Sequence, residues 1–276
     1  MIKRIYIEIS NVCNLSCAFC MKTDRKPRIM SPEEFEDILS DTDQITDYIY
    51  LHVQGEPLLH PQFDEMMEIA AKHSCKVQLV TNGLLLPQHP DLISMKALRK
   101  VSFSLQSVEY HKKDPEEFMA PIFRFIEEAS ANGKPYCELR FWRDDQMKLE
   151  RTEECLNMIH ERYQPEESGR VRNEKILPGV YVDYSNPFEW PEENNTGSDT
   201  GTCHGAISQI AILSDGTVVP CCLDAGGRIP LGNLFETDLQ TILSSERYRN
   251  MCEGFRSHRI TEELCRSCTY RLRFDR

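Results

Sequence analysis

The sequence predicts an α/β fold: a partial (β/α)6 barrel followed by a small module made of a β-hairpin and helix. Three observations carry this. Strand-length apolar runs alternate with amphipathic helical stretches across residues 3–184. A Pro-, Asn- and Gly-rich stretch, 185–201, then breaks the alternation. Beyond it, Asp215-Gly216 separates two apolar runs, which is a hairpin signal.

Each element has its own reason. Residues 3–9 alternate, with Ile5, Ile7 and Ile9 on one face, and form the first strand. Ser31-Pro32-Glu33-Glu34 supplies a serine cap, a proline at the first helical position and acids in the first turn, so a helix runs to about Leu39. Residues 48–53 form strand two. Residues 61–73 form a helix whose apolar stripe is Phe63, Met66, Met67 and Ile69. Strand three is 77–81, a helix closes at 97–99, and strand four is 101–105. Residues 115–131 are helical, 137–142 form strand five, 147–162 are helical and 180–184 form strand six. In the tail, 206–213 and 217–220 are hairpin arms, and 239–249 and 261–268 are helical. Such βαβα order predicts parallel strands with crossover helices. A closed eight-unit barrel takes about 250 residues, so six units predict an incomplete one, with its chemistry at the carboxyl ends of the strands. The expected division is 1–190 for the barrel and 191–276 for the tail module.

Composition narrows the partners. The net charge of −12 argues against broad nucleic-acid or anionic-membrane binding and predicts a solvated acidic surface, with Arg140 and Arg143 as a local basic exception. The start reads directly into a strand without a signal peptide, and no apolar run is long enough to span a bilayer. A cytoplasmic protein is expected. Twelve cysteines in such a chain favour metal binding over disulfides. They form one group at Cys13, Cys17 and Cys20 and another from Cys203 to Cys268, while Cys75, Cys137 and Cys155 read as buried thiols.

Cys13, Cys17 and Cys20 stand at C-x3-C-x2-C spacing immediately after strand one. Three thiolates are one ligand short of holding a four-iron cluster, which leaves one iron open to a substrate. Zinc with a remote fourth ligand is the competing reading. Three further patterns follow in order. Gly55-Glu56-Pro57 ends strand two, Thr81-Asn82-Gly83 ends strand three, and Ser104 lies in strand four with Arg140 and Arg143 around the end of strand five.

Together these resemble the radical SAM superfamily over most of the chain. The resemblance implies that the amino and carboxylate groups of S-adenosylmethionine (SAM) fill the open iron position. One electron from the [4Fe-4S] cluster then cleaves SAM to methionine and a 5′-deoxyadenosyl radical, which takes hydrogen from a substrate. It also implies roles. Glu56 orients the SAM amino group and Gly55, followed by Pro57, permits close backbone approach. Thr81 and Asn82 belong to the cofactor-binding set. Ser104 and Arg140 or Arg143 suit ribose hydroxyls and a carboxylate, and Phe19 sits near adenine. Individually each pattern has a plainer reading: a turn tripeptide, a strand-ending turn, a strand serine, surface charges. His52 and His60 flank the Gly-Glu-Pro turn and read as core or surface residues rather than substrate contacts.

Cys203, Gly216 and Cys221 give C-x12-G-x4-C, and Cys265 and Cys268 give C-x2-C. This resembles the Twitch module, the shortened relative of the SPASM domain, and implies that Cys203, Cys221, Cys265 and Cys268 hold one closed auxiliary [4Fe-4S] cluster. A zinc ribbon is the alternative. Cys222 follows Cys221 at a strand end, where successive side chains point oppositely. It is therefore a candidate hydrogen-atom donor to a substrate radical, with Cys252 as a second candidate; a buried apolar thiol is the plainer reading of both.

The function expected is hydrogen abstraction from a peptide, leading to epimerisation, a crosslink or oxidation. The alternative is a dehydrogenase of a cyclitol or sugar alcohol, which the absence of an N-terminal peptide-recognition domain favours. A non-catalytic iron–sulfur electron carrier is the remote reading. An external one-electron donor such as flavodoxin or ferredoxin is the expected partner, beside the peptide or small-molecule substrate.

Overall fold

Strand β1 (Arg4–Ile7) sends Ile5 and Ile7 to a fully buried face and leaves Arg4 and Tyr6 half-buried on the other. That alternation organises the fold. The computed structural model describes residues 2–142, 149–167, 173–186, 188–191 and 197–274. Helix α1 (Pro32–Thr42) starts in a full capping box: Ser31 Oγ accepts Glu34 N–H, and the Glu34 carboxylate accepts Ser31 N–H. It buries Phe35, Ile38 and Leu39 in the same core as Ile5 and Ile7. Strand β2 (Tyr48–Tyr50), helix α2 (Phe63–Lys72) and strand β3 (Lys76–Thr81) follow. The α2 stripe Phe63, Met66, Met67 and Ile69 is buried.

Next come β4 (Leu98–Ser104), α3 (Pro115–Asn132), β5 (Tyr136–Trp142) and α4 (Glu150–Arg162). A hairpin extension, β6 (Glu166–Glu167) and β7 (Asn173–Leu177), leads into β8 (Val180–Ser185). The tail carries β9 (Gln209–Ile212), β10 (Thr217–Val219) and β11 (Gly232–Asn233). It ends with α5 (Leu239–Leu243), α6 (Glu246–Arg256) and α7 (Glu263–Ser267).

All strands join one sheet in the order β11-β10-β9-β1-β2-β3-β4-β5-β8-β7-β6. The six strands expected of an incomplete barrel, β1, β2, β3, β4, β5 and β8, are consecutive and mutually parallel. Strand β9 adds to β1 in parallel, with Ile7 opposite Ile212, so the tail hairpin continues the barrel sheet. No helix among the described residues is long and apolar enough to cross a membrane.

Two expected elements differ. Residues 97–99 do not close a helix. Pro90–Ser94 makes a 3-10 turn, and Ala97 then accepts Val77 N–H and opens the β3–β4 ladder. The helix expected over 239–249 is two helices, because Ser245 caps α6 by accepting Tyr248 N–H and serine favours caps over helix interiors.

Ser31→Ala removes one arm of the capping box. It is expected to lower stability by about 1 kcal/mol, read as a shift of the urea midpoint with unchanged slope.

Candidate functional site

The first cysteine group occupies the loop that leaves β1. Cys13 is exposed, Cys20 half-buried and Cys17 buried. The loop folds on itself: Cys20 N–H donates to the Cys17 carbonyl at 3.2 Å, and Lys22 Nζ donates to the Cys17 carbonyl and Ser16 Oγ at 3.3 Å each. Burial raises all three thiol pKa values. Cys17 is pushed up to about 12 by burial and by its neighbours Cys13 and Cys20. Thiols that oppose one another's ionisation are a donor set that a cationic group completes. Among the described residues, no three His, Cys, Asp or Glu side chains converge on a single ion. Soft, sulfur-only ligands spread around a larger group fit an iron–sulfur cluster.

The Gly55-Glu56-Pro57 turn docks against this loop. Gly55 takes φ +79°, and a Cβ there would lie 2.3 Å from the Ser10 carbonyl oxygen and 2.9 Å from that of Val12. Glu56 N–H donates to the Val12 carbonyl at 2.9 Å. The Glu56 carboxylate is fully buried and receives Thr81 Oγ1–H at 2.7 Å, Asn82 N–H at 2.7 Å and Leu58 N–H at 3.1 Å. Burial raises its pKa to about 7, against the pull of these donors. Asn82 Nδ2 donates to Asn14 Oδ1 at 2.8 Å, inside the cysteine loop. The three sequence patterns thus meet at the carboxyl ends of β1, β2 and β3. Pro57 opens the 3-10 turn Pro57–Leu59.

Phe19 packs its ring against Trp142, centroids 4.6 Å apart, and Tyr110 at 5.4 Å; its carbonyl accepts Trp190 Nε1–H at 2.7 Å. Ser104 ends β4 directly opposite Arg140 of β5, which itself pairs with Asp183 of β8. Arg143 lies outside the described residues.

In the second cysteine group Gly205 lies between two members, where a Cβ would be 3.7 Å from Cys203 Sγ and 3.6 Å from Cys221 Cβ. Cys221 is raised well above the ordinary thiol pKa by burial, with Cys222, Cys265 and Cys203 adding to it. Cys265 is raised by burial, then by Cys203 and Cys268. A fully buried guanidinium organises the turn: Arg271 donates to the Cys265 carbonyl at 2.9 Å and to those of Ser198 and Thr200. No spacing in the sequence marks Arg271.

Cys221 and Cys222 differ in their surroundings. Burial pushes the Cys222 thiol up to about 11, with Tyr6, Arg4 and Arg140 nearby. Tyr6 stacks on Tyr50 at 4.5 Å, and His52 stands edge-on to both. The two histidines differ. His60 Nε2 meets the Met30 carbonyl at 2.8 Å and Nδ1 accepts Gln62 N–H, so its ring is satisfied and structural. His52 Nδ1 is buried without a hydrogen-bond partner among the described residues. Burial and Arg140 lower the His52 pKa to about 3. Cys252 is buried on α6 with its thiol toward the Ala206 carbonyl, which favours the plainer reading of that residue.

One centre escaped the sequence patterns. The fully buried Glu8 forms a bidentate pair with Arg25 at 2.6 and 3.1 Å. Glu8 also accepts Gln54 N–H at 3.1 Å, Ser214 N–H at 3.1 Å and Ser214 Oγ–H at 3.0 Å. A lone acid in an Ile-rich strand was its only signal. Beside it a cleft of about 420 Å³ opens between residues 21–25 and 226–228.

A family model described as the radical SAM superfamily matches residues 7–142, and one described as an iron-sulfur cluster-binding domain (SPASM) matches residues 203–269. A tungsten-containing aldehyde ferredoxin oxidoreductase cofactor-modifying protein of Pyrococcus furiosus is 34% identical over 88 residues, 30% of this chain and 25% of that protein. The chain spans under half the length of the first curated relatives it matches. The crystal structure of BtrN in complex with AdoMet and 2-DOIA superposes with TM-score 0.60 at 16% identity, covering 98% of this chain and 93% of that one. Native anSMEcpe with bound AdoMet and Cp18Cys peptide gives TM-score 0.62 at 15% identity, covering 100% and 88%.

Arg25→Met leaves Glu8 buried and unpaired. It is expected to cost about 3–5 kcal/mol, measured by anaerobic denaturant titration. Gly55→Ala drives a methyl group into the Ser10 and Val12 carbonyls and is expected to lower the melting temperature more than Gly133→Ala, which meets open space and carries only the backbone strain of its φ of +73°.

Proposed function

Because the chain belongs to the radical SAM superfamily and carries a SPASM iron–sulfur domain, we propose that it modifies a peptide through a hydrogen-abstraction step that returns a hydrogen atom, as in epimerisation. Its cofactors are a [4Fe-4S] cluster with SAM and an auxiliary iron–sulfur cluster. When bound, the first cluster and SAM supply a 5′-deoxyadenosyl radical.

The chain's own residues take these roles in the reading. Cys13, Cys17 and Cys20 hold the first cluster; Cys203, Cys221, Cys265 and Cys268 hold the second. Glu56, itself positioned by Thr81 and Asn82, orients the SAM amino group. The tight seat of Gly55 and the Pro57 turn keep that carboxylate beside the cysteine loop. Ser104, with Arg140 or Arg143, receives ribose and carboxylate oxygens, and Phe19 packs beside adenine. The division of labour follows residues 1–190 and 191–276. An external one-electron donor such as flavodoxin or ferredoxin supplies the reducing equivalents.

The observation that carries the choice of reaction is a pair of adjacent thiols with different neighbours. Cys203 and Cys265 act on Cys221, and Tyr6, Arg4 and Arg140 act on Cys222. A thiol on the reaction side has a task only if the substrate radical must regain hydrogen. Crosslinking and oxidation leave it without one. The second reading, dehydrogenation of a cyclitol or sugar alcohol, draws support from the charged inner wall. There Lys100 pairs with Glu138 at 2.9 Å and Arg140 lies beside Asp183. Such a wall suits a hydroxyl-rich substrate. A pure electron carrier is set aside, since the family is one of enzymes.

Replacing Cys13, Cys17 and Cys20 together by Ala is expected to remove about half of the reconstituted iron and all 5′-deoxyadenosine formation, read by iron assay and chromatography. With a peptide substrate in D2O, wild-type product is expected to carry solvent deuterium at the altered carbon. Cys222→Ala is expected to abolish that label, and an undiminished label in the variant would sink the donor assignment.

A further inference from the structure

Gln54 stands immediately before the Gly-Glu-Pro turn, and the motif gives it no role. Its side chain holds the cysteine loop at two points. Gln54 Nε2 donates to the Met21 carbonyl at 2.7 Å, and Gln54 Oε1 accepts Thr23 Oγ1–H at 3.2 Å. Both ends of the carboxamide are therefore used on the loop exit, at the first and third residues beyond Cys20. The next two residues grip the loop entry. Gly55 lies against the Ser10 and Val12 carbonyls with no room for a side chain, and Glu56 N–H donates to the Val12 carbonyl at 2.9 Å. Val12 directly precedes Cys13. Consecutive residues 54–56 thus hold both ends of the segment that carries Cys13, Cys17 and Cys20. The turn is itself anchored, because Gln54 N–H donates to the buried Glu8 carboxylate at 3.1 Å. Hydrogen bonds from outside a ligand set fix the orientation of that set, and here they come from the same turn that bears Glu56.

We propose that Gln54 is a positioning residue for SAM. By tying the exit of the cysteine loop to the turn that bears Glu56, it sets the placement of that carboxylate relative to the iron site of Cys13, Cys17 and Cys20. The inference rests on the reading of Glu56 as the group that orients the SAM amino group. Without the carboxamide, the loop entry stays seated on Gly55 and Glu56, while the exit, and Cys20 with it, is released. Three thiolates still reach the cluster, so iron is retained. What is lost is the alignment of two partners that SAM must meet at once, and that loss falls on affinity for SAM. The fold tolerates the change, because Met21 and Thr23 line the cleft between residues 21–25 and 226–228. Water there takes the place of the carboxamide on the freed carbonyl and hydroxyl.

The test needs no knowledge of the substrate. Gln54→Leu removes both side-chain hydrogen bonds at similar volume. Thr23→Val removes one of them from the other side, and Thr23→Ser keeps the hydroxyl. Each reconstituted protein is titrated anaerobically with SAM, read by the change that SAM makes in the EPR spectrum of the reduced cluster. Iron content, 5′-deoxyadenosine kinetics and hydrogen exchange are measured alongside. Gln54→Leu is expected to keep its iron, to need about tenfold more SAM for half of the EPR change, and to raise KM for SAM about tenfold with kcat within about twofold of wild type. Thr23→Val is expected to raise KM about threefold, and the double variant to be no weaker than Gln54→Leu alone. Thr23→Ser is expected to match wild type. In Gln54→Leu, exchange is expected to quicken at residues 20–25 and to hold steady at residues 8–13. Wild-type SAM affinity in Gln54→Leu, or a fall in kcat at constant KM, overturns the assignment. Loss of iron or faster exchange throughout the chain in Gln54→Leu also overturns it, since Gln54 would then serve the fold at large, and so does a Thr23→Ser as weak as Thr23→Val. If no protein, wild type included, responds to SAM or forms 5′-deoxyadenosine, the functional reading beneath fails instead, while the exchange pattern still reports whether Gln54 holds the loop exit.

Discussion

The Glu8–Arg25 pair is the interaction on which the rest of the site depends. A carboxylate with no exposure to solvent is costly to bury unless it is paired and fully hydrogen-bonded. Here the compensation for Glu8, the residue just after β1, comes from three segments at once: Arg25 from the exit of the cysteine loop, Gln54 from the approach to the Gly-Glu-Pro turn, and Ser214 from the tail hairpin. Arg25 also donates to the Ala225 carbonyl at 3.1 Å, close to the second cysteine group. Arg28 reinforces the junction by holding Glu34 of α1 and donating to the Ser214 carbonyl. Each lone pair is used, so the two cysteine groups are held in one frame by a single buried charge. Losing either partner exposes the other to the full desolvation penalty.

Around that node the two cysteine groups are joined a second way. Rings run from Phe19 through Trp142 and Phe188 to Tyr270, with successive centroids 4.6, 6.2 and 5.1 Å apart. Phe19 directly precedes Cys20, and Tyr270 lies just beyond Cys268. Both tryptophans of the chain pack at the Phe19 end, one through its ring and one through its indole N–H. Apolar packing here sets the spacing of the groups, while the ion pair sets their orientation. On the inner wall, His52 Nδ1 is buried without a hydrogen-bond partner among the described residues.

Much of this was legible in the sequence. The six parallel strands follow from alternating apolar positions such as Ile5 and Ile7, because a strand with one buried face must repeat every two residues. The α1 cap was readable from Ser31 and Pro32 because capping is local. Gly55 and Glu56 were readable as a motif, and the structure shows why those residue types are needed: a Cβ at 55 has no room, and Glu56 fills a buried nest of three donors. Where reading failed, a longer-range contact had won. Residues 97–99 became strand because β3 offered a ladder partner, and Ser245 broke a helix by capping the next one.

The sequence by itself determined which donor chemistry is available: cysteines in two local groups, a carboxylate after strand two, and paired thiols at 221 and 222. These are set by spacing over a few residues, which covalent geometry transmits directly. Only the tertiary structure decided which of them face one another. Glu8 meets Ser214 across 206 residues of chain because β9 adds to β1 and carries the tail hairpin to that edge of the sheet. Such meetings depend on how the whole sheet is assembled, and burial then makes them obligatory: a charge or hydroxyl taken out of water must find its partner wherever the fold brings one.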